Sequence, residues 1–235
     1  AERAAHLVDH VFPVVPVRQW VLSLPHRLRY VLAWDHALCR VLLGRGPGGF
    51  GVDPAECPEA SLYIIAYPAP APFMERVPEG ARVVYSRIPP KSGGLAQVKT
   101  CNYLPNVLMK AEATARGAHF VLGLDTDGFL TESYTENFAA VDAAGTLVIP
   151  PATHHLPGTT LQRVSELARQ TGMTVCVRPL RPEDLAEMRE LLIVGTTAYV
   201  TSVTWLEGQT YPIGPVARKL SEALLTEILS GAGPA

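Results

Sequence analysis

The chain reads as an α+β fold: one observation predicts it, and two others set competing classes aside. Strand-like and helix-like segments are mixed along the chain without the strict alternation of a doubly wound sheet. Among 235 residues, 48% are hydrophobic and 18% charged, enough apolar content for a sizeable core and outside the disordered class. No segment repeats at a fixed period, which sets a solenoid aside.

The elements follow in order. From Pro25, the residues Leu28, Val31, Leu32, Asp35 and Leu38 recur at helical spacing and predict a helix. Arg45–Gly51 is glycine-rich but fits neither phosphate-loop spacing, so it reads as a tight turn between strands. Ser61–Tyr67 reads as a buried strand ended by Pro68, Pro70 and Pro72, and Arg82–Ser86 as another strand. Asn102 is an expected N-cap for a helix with Pro105 in its first turn. Leu104, Val107, Leu108, Ala111 and Ala115 form its expected inner face, and Gly117 its stop. Phe120–Leu124, Phe129–Glu132, Phe138–Val141 and Thr146–Ile149 continue the sheet, with a hairpin turn at Asp125-Thr126-Asp127-Gly128. Thr160–Gln170 is helical, with Leu161, Val164, Leu167 and Ala168 inward and Gly172 as the stop. Thr174–Val177 is a strand, Pro182–Glu190 a short helix, and Leu192–Gly195 and Ala198–Val203 are strands. Val216, Leu220, Ala223, Leu224 and Ile228 mark a closing amphipathic helix.

Composition narrows the function. A net charge of −2 gives no general attraction to nucleic acid or an anionic membrane. Cys39, Cys57, Cys101 and Cys176 form no CxxC pair and lack zinc spacing, which fits reduced thiols in a cytoplasmic protein. No apolar run approaches the ~20 residues that span a bilayer, and the first residues do not read as a secretory signal. His154-His155 on an extended segment point to opposite sides, against a shared metal. Asp125 and Asp127 are explained by turn chemistry, and Cys101 by packing.

The informative residues are an amine and an acid. Lys99 precedes a helix start, and Glu132 follows in Thr131-Glu132-Ser133-Tyr134-Thr135-Glu136-Asn137. Each alone has an ordinary surface reading. Together they match the needs of pyridoxal 5'-phosphate (PLP): an amine to bond the aldehyde and a carboxylate to keep the ring nitrogen protonated. Leu156-Pro157-Gly158-Thr159-Thr160 adds backbone N–H groups and hydroxyls at a helix start, a ready phosphate site. Gly195-Thr196-Thr197 after a strand adds further hydroxyls and close backbone approach.

In that order these motifs, with Lys99-Thr-Cys-Asn-Tyr-Leu, resemble the class IV aminotransferases, the fold type IV PLP enzymes. That family includes branched-chain and D-amino-acid transaminases and 4-amino-4-deoxychorismate lyase. The resemblance runs from about Leu43 to Leu229 and implies the large domain of the D-amino-acid-aminotransferase-like fold. It implies Lys99 as Schiff-base lysine and proton shuttle, and Glu132 as partner of the pyridine nitrogen. Tyr103 would bond the cofactor's phenolic oxygen, Thr159, Thr160 and Thr196 its phosphate, and Thr197 would meet the substrate carboxylate. An amino acid and a 2-oxo acid are the implied substrates, and a homodimer the implied assembly. Asn102-Tyr103-Leu104-Pro105-Asn106 looks most like the lyase and D-amino-acid branch. Leu161 stands where an arginine is frequent in the family.

Phe12–Tyr30 resembles part of the two-tyrosine rolling-circle insertion-sequence transposases, without their catalytic His and Tyr motifs. The expected organisation is therefore a transposase-like helical segment at 1–42 and a PLP-binding large domain at 43–235, with the family's small N-terminal domain missing. Three functions follow: an aminotransferase, with the lyase as its nearest alternative; an inactive fragment of such an enzyme; or a nucleic-acid-binding remnant, supported only by the basic residues of the first segment.

Overall fold

The computed structural model describes residues 19–22, 37–49, 51–153 and 155–230. The chain divides into two compact units, Ala1–Ala69 with Lys99–Asn102, and Pro70–Val98 with Tyr103–Ala235.

The first unit holds a three-stranded antiparallel sheet in the order β1-β2-β3: β1 Gln19–Leu22, β2 Ala37–Gly44 and β3 Ser61–Pro68. Where residues 1–42 are described, they are strand rather than helix. Leu38, expected on a helix, pairs with Tyr67 in the β2–β3 ladder, and the rest of that expected helix lies outside the described residues. The ladder runs without a break from Ala37↔Pro68 to Gly44↔Ser61, across the expected boundary at 42/43. The glycine-rich stretch does connect two strands, but through a longer excursion containing a 3-10 turn at Pro54–Glu56. A side chain at Gly46, where φ is +85°, would place its Cβ 2.0 Å from the Glu59 carbonyl oxygen, so only glycine fits. Strand β3 is not buried: Leu62, Tyr63, Ile64 and Ile65 are all exposed.

The second unit is built on an eight-stranded mixed sheet, ordered β5-β4-β10-β9-β6-β7-β8, with β11 against β10. Its strands are β4 Ala81–Tyr85, β5 Phe120–Leu122, β6 Asn137–Val141, β7 Leu147–Ile149, β8 Val175–Val177, β9 Glu190–Gly195, β10 Tyr199–Leu206 and β11 Gln209–Thr210. Strand alternation splits the core. Phe138, Ala140, Leu191 and Ile193 face one layer with Leu180, Leu185 and Tyr211. Ala139, Val141, Leu192 and Val194 face the other, as side-chain period two requires. The α-helices among the described residues of this unit are α1 Phe73–Arg76, α2 Leu104–Ala115, α3 Thr159–Gln170 and α4 Pro215–Ser230. Leu161, Val164, Leu167 and Ala168 of α3 and Leu220 and Leu224 of α4 cover the second layer, as their helical spacing predicts. The expected strand at Phe129–Glu132 is reduced to one bridge, Leu124↔Leu130.

Helix α2 turns a different face inward from the one expected. Met109 and Ala113 are buried, whereas Leu104, Val107 and Leu108 are exposed. Polar groups set this rotation. The Glu112 carboxylate accepts from the Ser86 hydroxyl and the Arg87 N–H, and the Arg116 guanidinium donates to the Tyr85 carbonyl and to Glu207. These bonds fix the side that meets the sheet. The N-cap position is Tyr103, not Asn102, whose own N–H donates to the Thr100 hydroxyl.

Candidate active site

Glu132 lies just past the Asp125–Gly128 turn. That turn closes through the Asp125 carboxylate, which accepts from the N–H groups of Asp127 and Phe129. The carbonyl of Glu132 accepts from Gly123 N–H at 3.0 Å. Its side chain is half-buried, and its Oε2 accepts from the Leu156 N–H at 3.1 Å. This bond joins Glu132 to the segment that leads into α3.

The same segment is held from a second side. Asn137, at the start of β6, donates from Nδ2 to the Leu156 carbonyl at 2.8 Å. A Cβ on Gly158 would lie 1.8 Å from the Asn137 Oδ1, so the absence of a side chain there is a packing requirement. Gly158 is also the N-cap of α3, with no side-chain cap bond, and its carbonyl accepts from Gln162 N–H. The N–H groups of the first turn therefore have no intrahelical acceptor, and the partial positive end of the helix sits at Thr159 and Thr160. Thr160 is buried and Thr159 half-buried.

Thr196 and Thr197 are exposed on the turn joining β9 to β10. Asn137 pairs with Val194 beside this turn, and a Cβ on Gly195 would meet the Glu136 side chain at 3.1 Å. The Thr201 hydroxyl donates to the Ala198 carbonyl at 2.7 Å, and Tyr199 takes a φ of +54° to end the turn. Contacts through Glu136, Asn137, Leu156 and Gly158 thus bring together Glu132, the α3 start and the Thr196–Thr197 turn, three segments far apart in sequence.

Tyr103 is half-buried, with the Lys91 ammonium 4.8 Å from its ring centroid, within cation–π range. Lys99 is half-buried and belongs to the first unit, whereas Tyr103, Glu132, Thr159, Thr160, Thr196 and Thr197 belong to the second.

A family model described as amino-transferase class IV matches residues 18–206. The chain belongs to the class IV aminotransferases. The match includes residues 18–42, a stretch that overlaps the transposase resemblance. A chloroplastic D-amino-acid transaminase of Arabidopsis thaliana is 36% identical over 202 residues, covering 82% of this chain and 53% of that protein. A bifunctional aminodeoxychorismate lyase / D-amino acid transaminase of Mycobacterium tuberculosis is 26% identical over 242 residues, covering 97% and 81%. A hypothetical aminotransferase from Mycobacterium tuberculosis, solved in a PLP-bound form, superposes with a TM-score of 0.69 at 27% identity. That superposition covers 83% of this chain and 69% of that one. The chain thus spans about half the length of the plant relative. No helix among its described residues is long and apolar enough to cross a membrane.

Three residues of this class IV chain escaped the sequence reading. Asn137 stands there only as the end of a motif, and its two-sided role depends on the fold. Gly158 has a local signal, a glycine directly before a helix start. Lys91 against Tyr103 has none.

Glu136 supplies a pH-dependent test of the packing here. It is 5% exposed, with its carboxylate held by the Thr135 hydroxyl and N–H. Burial pushes its carboxyl above the usual value, against the opposing pull of those Thr135 bonds and of the Lys110 charge. An acid whose folded pKa is raised costs stability as pH climbs from the unfolded value, about 4.3, through the folded one, because the folded state binds the proton more tightly. Urea melts across that window should show Glu136→Gln gaining stability relative to the natural chain as pH rises. Parallel profiles for the two proteins would remove Glu136 as the source.

Proposed function

We propose that this chain uses PLP to exchange an amino group between an amino acid and a 2-oxo acid. The observation that carries the reading is the convergence of the Glu132 carboxylate with the uncapped start of α3 through Leu156 and Asn137. The donor set suits the cofactor: helix-start N–H groups and threonine hydroxyls for a phosphate dianion, and a carboxylate for a protonated ring nitrogen.

In this reading the N–H groups of Thr159 and Thr160 and the Thr196 hydroxyl bind the phosphate. Glu132 keeps the proton on the ring nitrogen, since an adjacent negative charge favours the charged form of a base. Tyr103 orients the ring through its phenolic oxygen, and Thr197 receives the substrate carboxylate. PLP, when bound, accepts the electron pair left at the amino acid Cα. By resemblance, Lys99 would hold the cofactor at rest and, as a free amine, would take the Cα proton onto its Nζ. A homodimer is the proposed assembly, on the resemblance alone.

A lyase reaction on aminodeoxychorismate is the second reading, favoured by the bifunctional relative that this chain matches over 97% of its length. One assay separates the readings. With PLP present, a transaminase consumes 2-oxoglutarate in proportion to the branched-chain or D-amino acid supplied. A lyase releases pyruvate from aminodeoxychorismate with no 2-oxo acid acceptor. Neither product, from a chain that is folded by circular dichroism, would favour an inactive fragment.

A further inference from the structure

The residues 150–158 contain three prolines, Pro150, Pro151 and Pro157, and so are short of backbone N–H donors. Buried carbonyls in such a segment need partners from side chains. His155 supplies one. It is 3% exposed. Its Nε2 lies 3.0 Å from the Pro150 carbonyl, which can only accept, so Nε2 carries the hydrogen. Its Nδ1, left as an acceptor, faces the Asn137 Nδ2 at 3.3 Å, and that same Nδ2 donates to the Leu156 carbonyl at 2.8 Å. The ring therefore reaches from the first residue of the segment to Asn137, and through Asn137 to the Leu156 carbonyl. The N–H of that same Leu156 donates to Glu132 Oε2.

We propose that His155 is a positioning residue for Glu132. Its imidazole donates to the Pro150 carbonyl and accepts from Asn137, whose amide in turn donates to the Leu156 carbonyl, and so it keeps the Leu156 N–H where the Glu132 carboxylate is anchored. Both ring nitrogens face protein groups, which gives this histidine a use other than metal binding. Its consequence for catalysis rests on the reading of Glu132 as the ring-nitrogen partner; its consequence for the Leu156 N–H does not.

The test uses the full chain in two arms. In the first, amide hydrogen exchange is measured without cofactor on the natural chain, His155→Gln and His155→Leu. Gln keeps a donor for the Pro150 carbonyl and loses the Nδ1 contacts, whereas Leu loses both. The Leu156 amide should exchange at least about tenfold faster in His155→Leu and by a smaller factor in His155→Gln. The Ile193 amide in β9 should be unchanged. An unchanged Leu156 rate, or an equal acceleration at Leu156 and Ile193, overturns the proposal. If His155→Leu does not fold, His155→Gln alone decides by the same two rates. The second arm measures steady-state kinetics with PLP. Misplacement of Glu132 should lower kcat, leave the KM for the amino acid within about twofold, and be partly rescued in His155→Gln relative to His155→Leu. Selective exchange at Leu156 with unaltered kcat would keep the structural tie and sink the positioning role in catalysis. Should Glu132→Ala itself turn over normally, the reading of Glu132 fails separately from the exchange result.

Discussion

Lys99→Ala is expected to abolish the visible absorption band of the PLP-loaded chain and to lower amino-group transfer by roughly 10²- to 10⁴-fold, the usual worth of a positioned acid–base group. The lysine sits in the short stretch between Val98 and the start of α2, half-buried, with a buried threonine next to it. Such a position restricts an otherwise flexible side chain. An amine that bonds an aldehyde creates a chromophore that no other side chain of the motif can supply. Alanine also removes the only group proposed to move the Cα proton. The check is the absorption spectrum of chain and PLP mixed in equal amounts, beside the rate of 2-oxo acid consumption. A variant that keeps both would show that another amine bonds the cofactor, and Lys91, the lysine against Tyr103, would be the next to replace.

Glu132→Ala should have the second largest effect. An opposite charge within about 4–6 Å shifts a pKa by about 1–3 units, so losing this carboxylate should cut the protonated fraction of the ring nitrogen, and turnover with it, by roughly 10- to 10³-fold. The alanine variant also removes the acceptor that Leu156 N–H uses. An unmade bond of this kind costs about 1–3 kcal/mol when fully buried, and less here because Glu132 is half-buried. Glu132→Gln separates the two effects. Its amide oxygen still accepts from Leu156, so stability should return toward the natural value while turnover stays low. Turnover restored in Glu132→Gln would mean that the hydrogen bond, not the charge, was what mattered. Turnover unchanged in Glu132→Ala would shift attention to Glu136, which is buried against Gly195.

Much of the fold was legible where a segment offers only one apolar stripe. Helix α3 buries Leu161, Val164, Leu167 and Ala168, the set its spacing names, because its other positions are mostly polar. The central strands β6 and β9 bury every residue; their apolar runs Phe138–Val141 and Leu191–Val194 leave no other choice, while Asn137 and Glu190 are buried with hydrogen-bond partners. Reading failed where a segment carries two plausible stripes. Helix α2 has leucines on one side and Met109 and Ala113 on the other, and the Glu112 and Arg116 bonds to the end of β4 decided between them. Strand β3 has apolar residues on both faces, which signals burial in the sequence, yet most of them are exposed. The helix expected from Pro25 failed at Leu38 because a helical stripe of a few residues is weaker than an eight-residue ladder with β3.

The sequence by itself determined which reactive groups are present: an amine at Lys99, an acid at Glu132, and threonines at a helix start and after a strand. These are local facts, carried by residue type and short spacing. Only the tertiary structure decided that the acid and the threonines lie on neighbouring segments. The Leu156 N–H meets Glu132 across 24 residues, and Asn137 reaches Leu156 across 19. Bonds of that span leave no periodic trace in the chain, because they depend on how the sheet brings distant segments side by side.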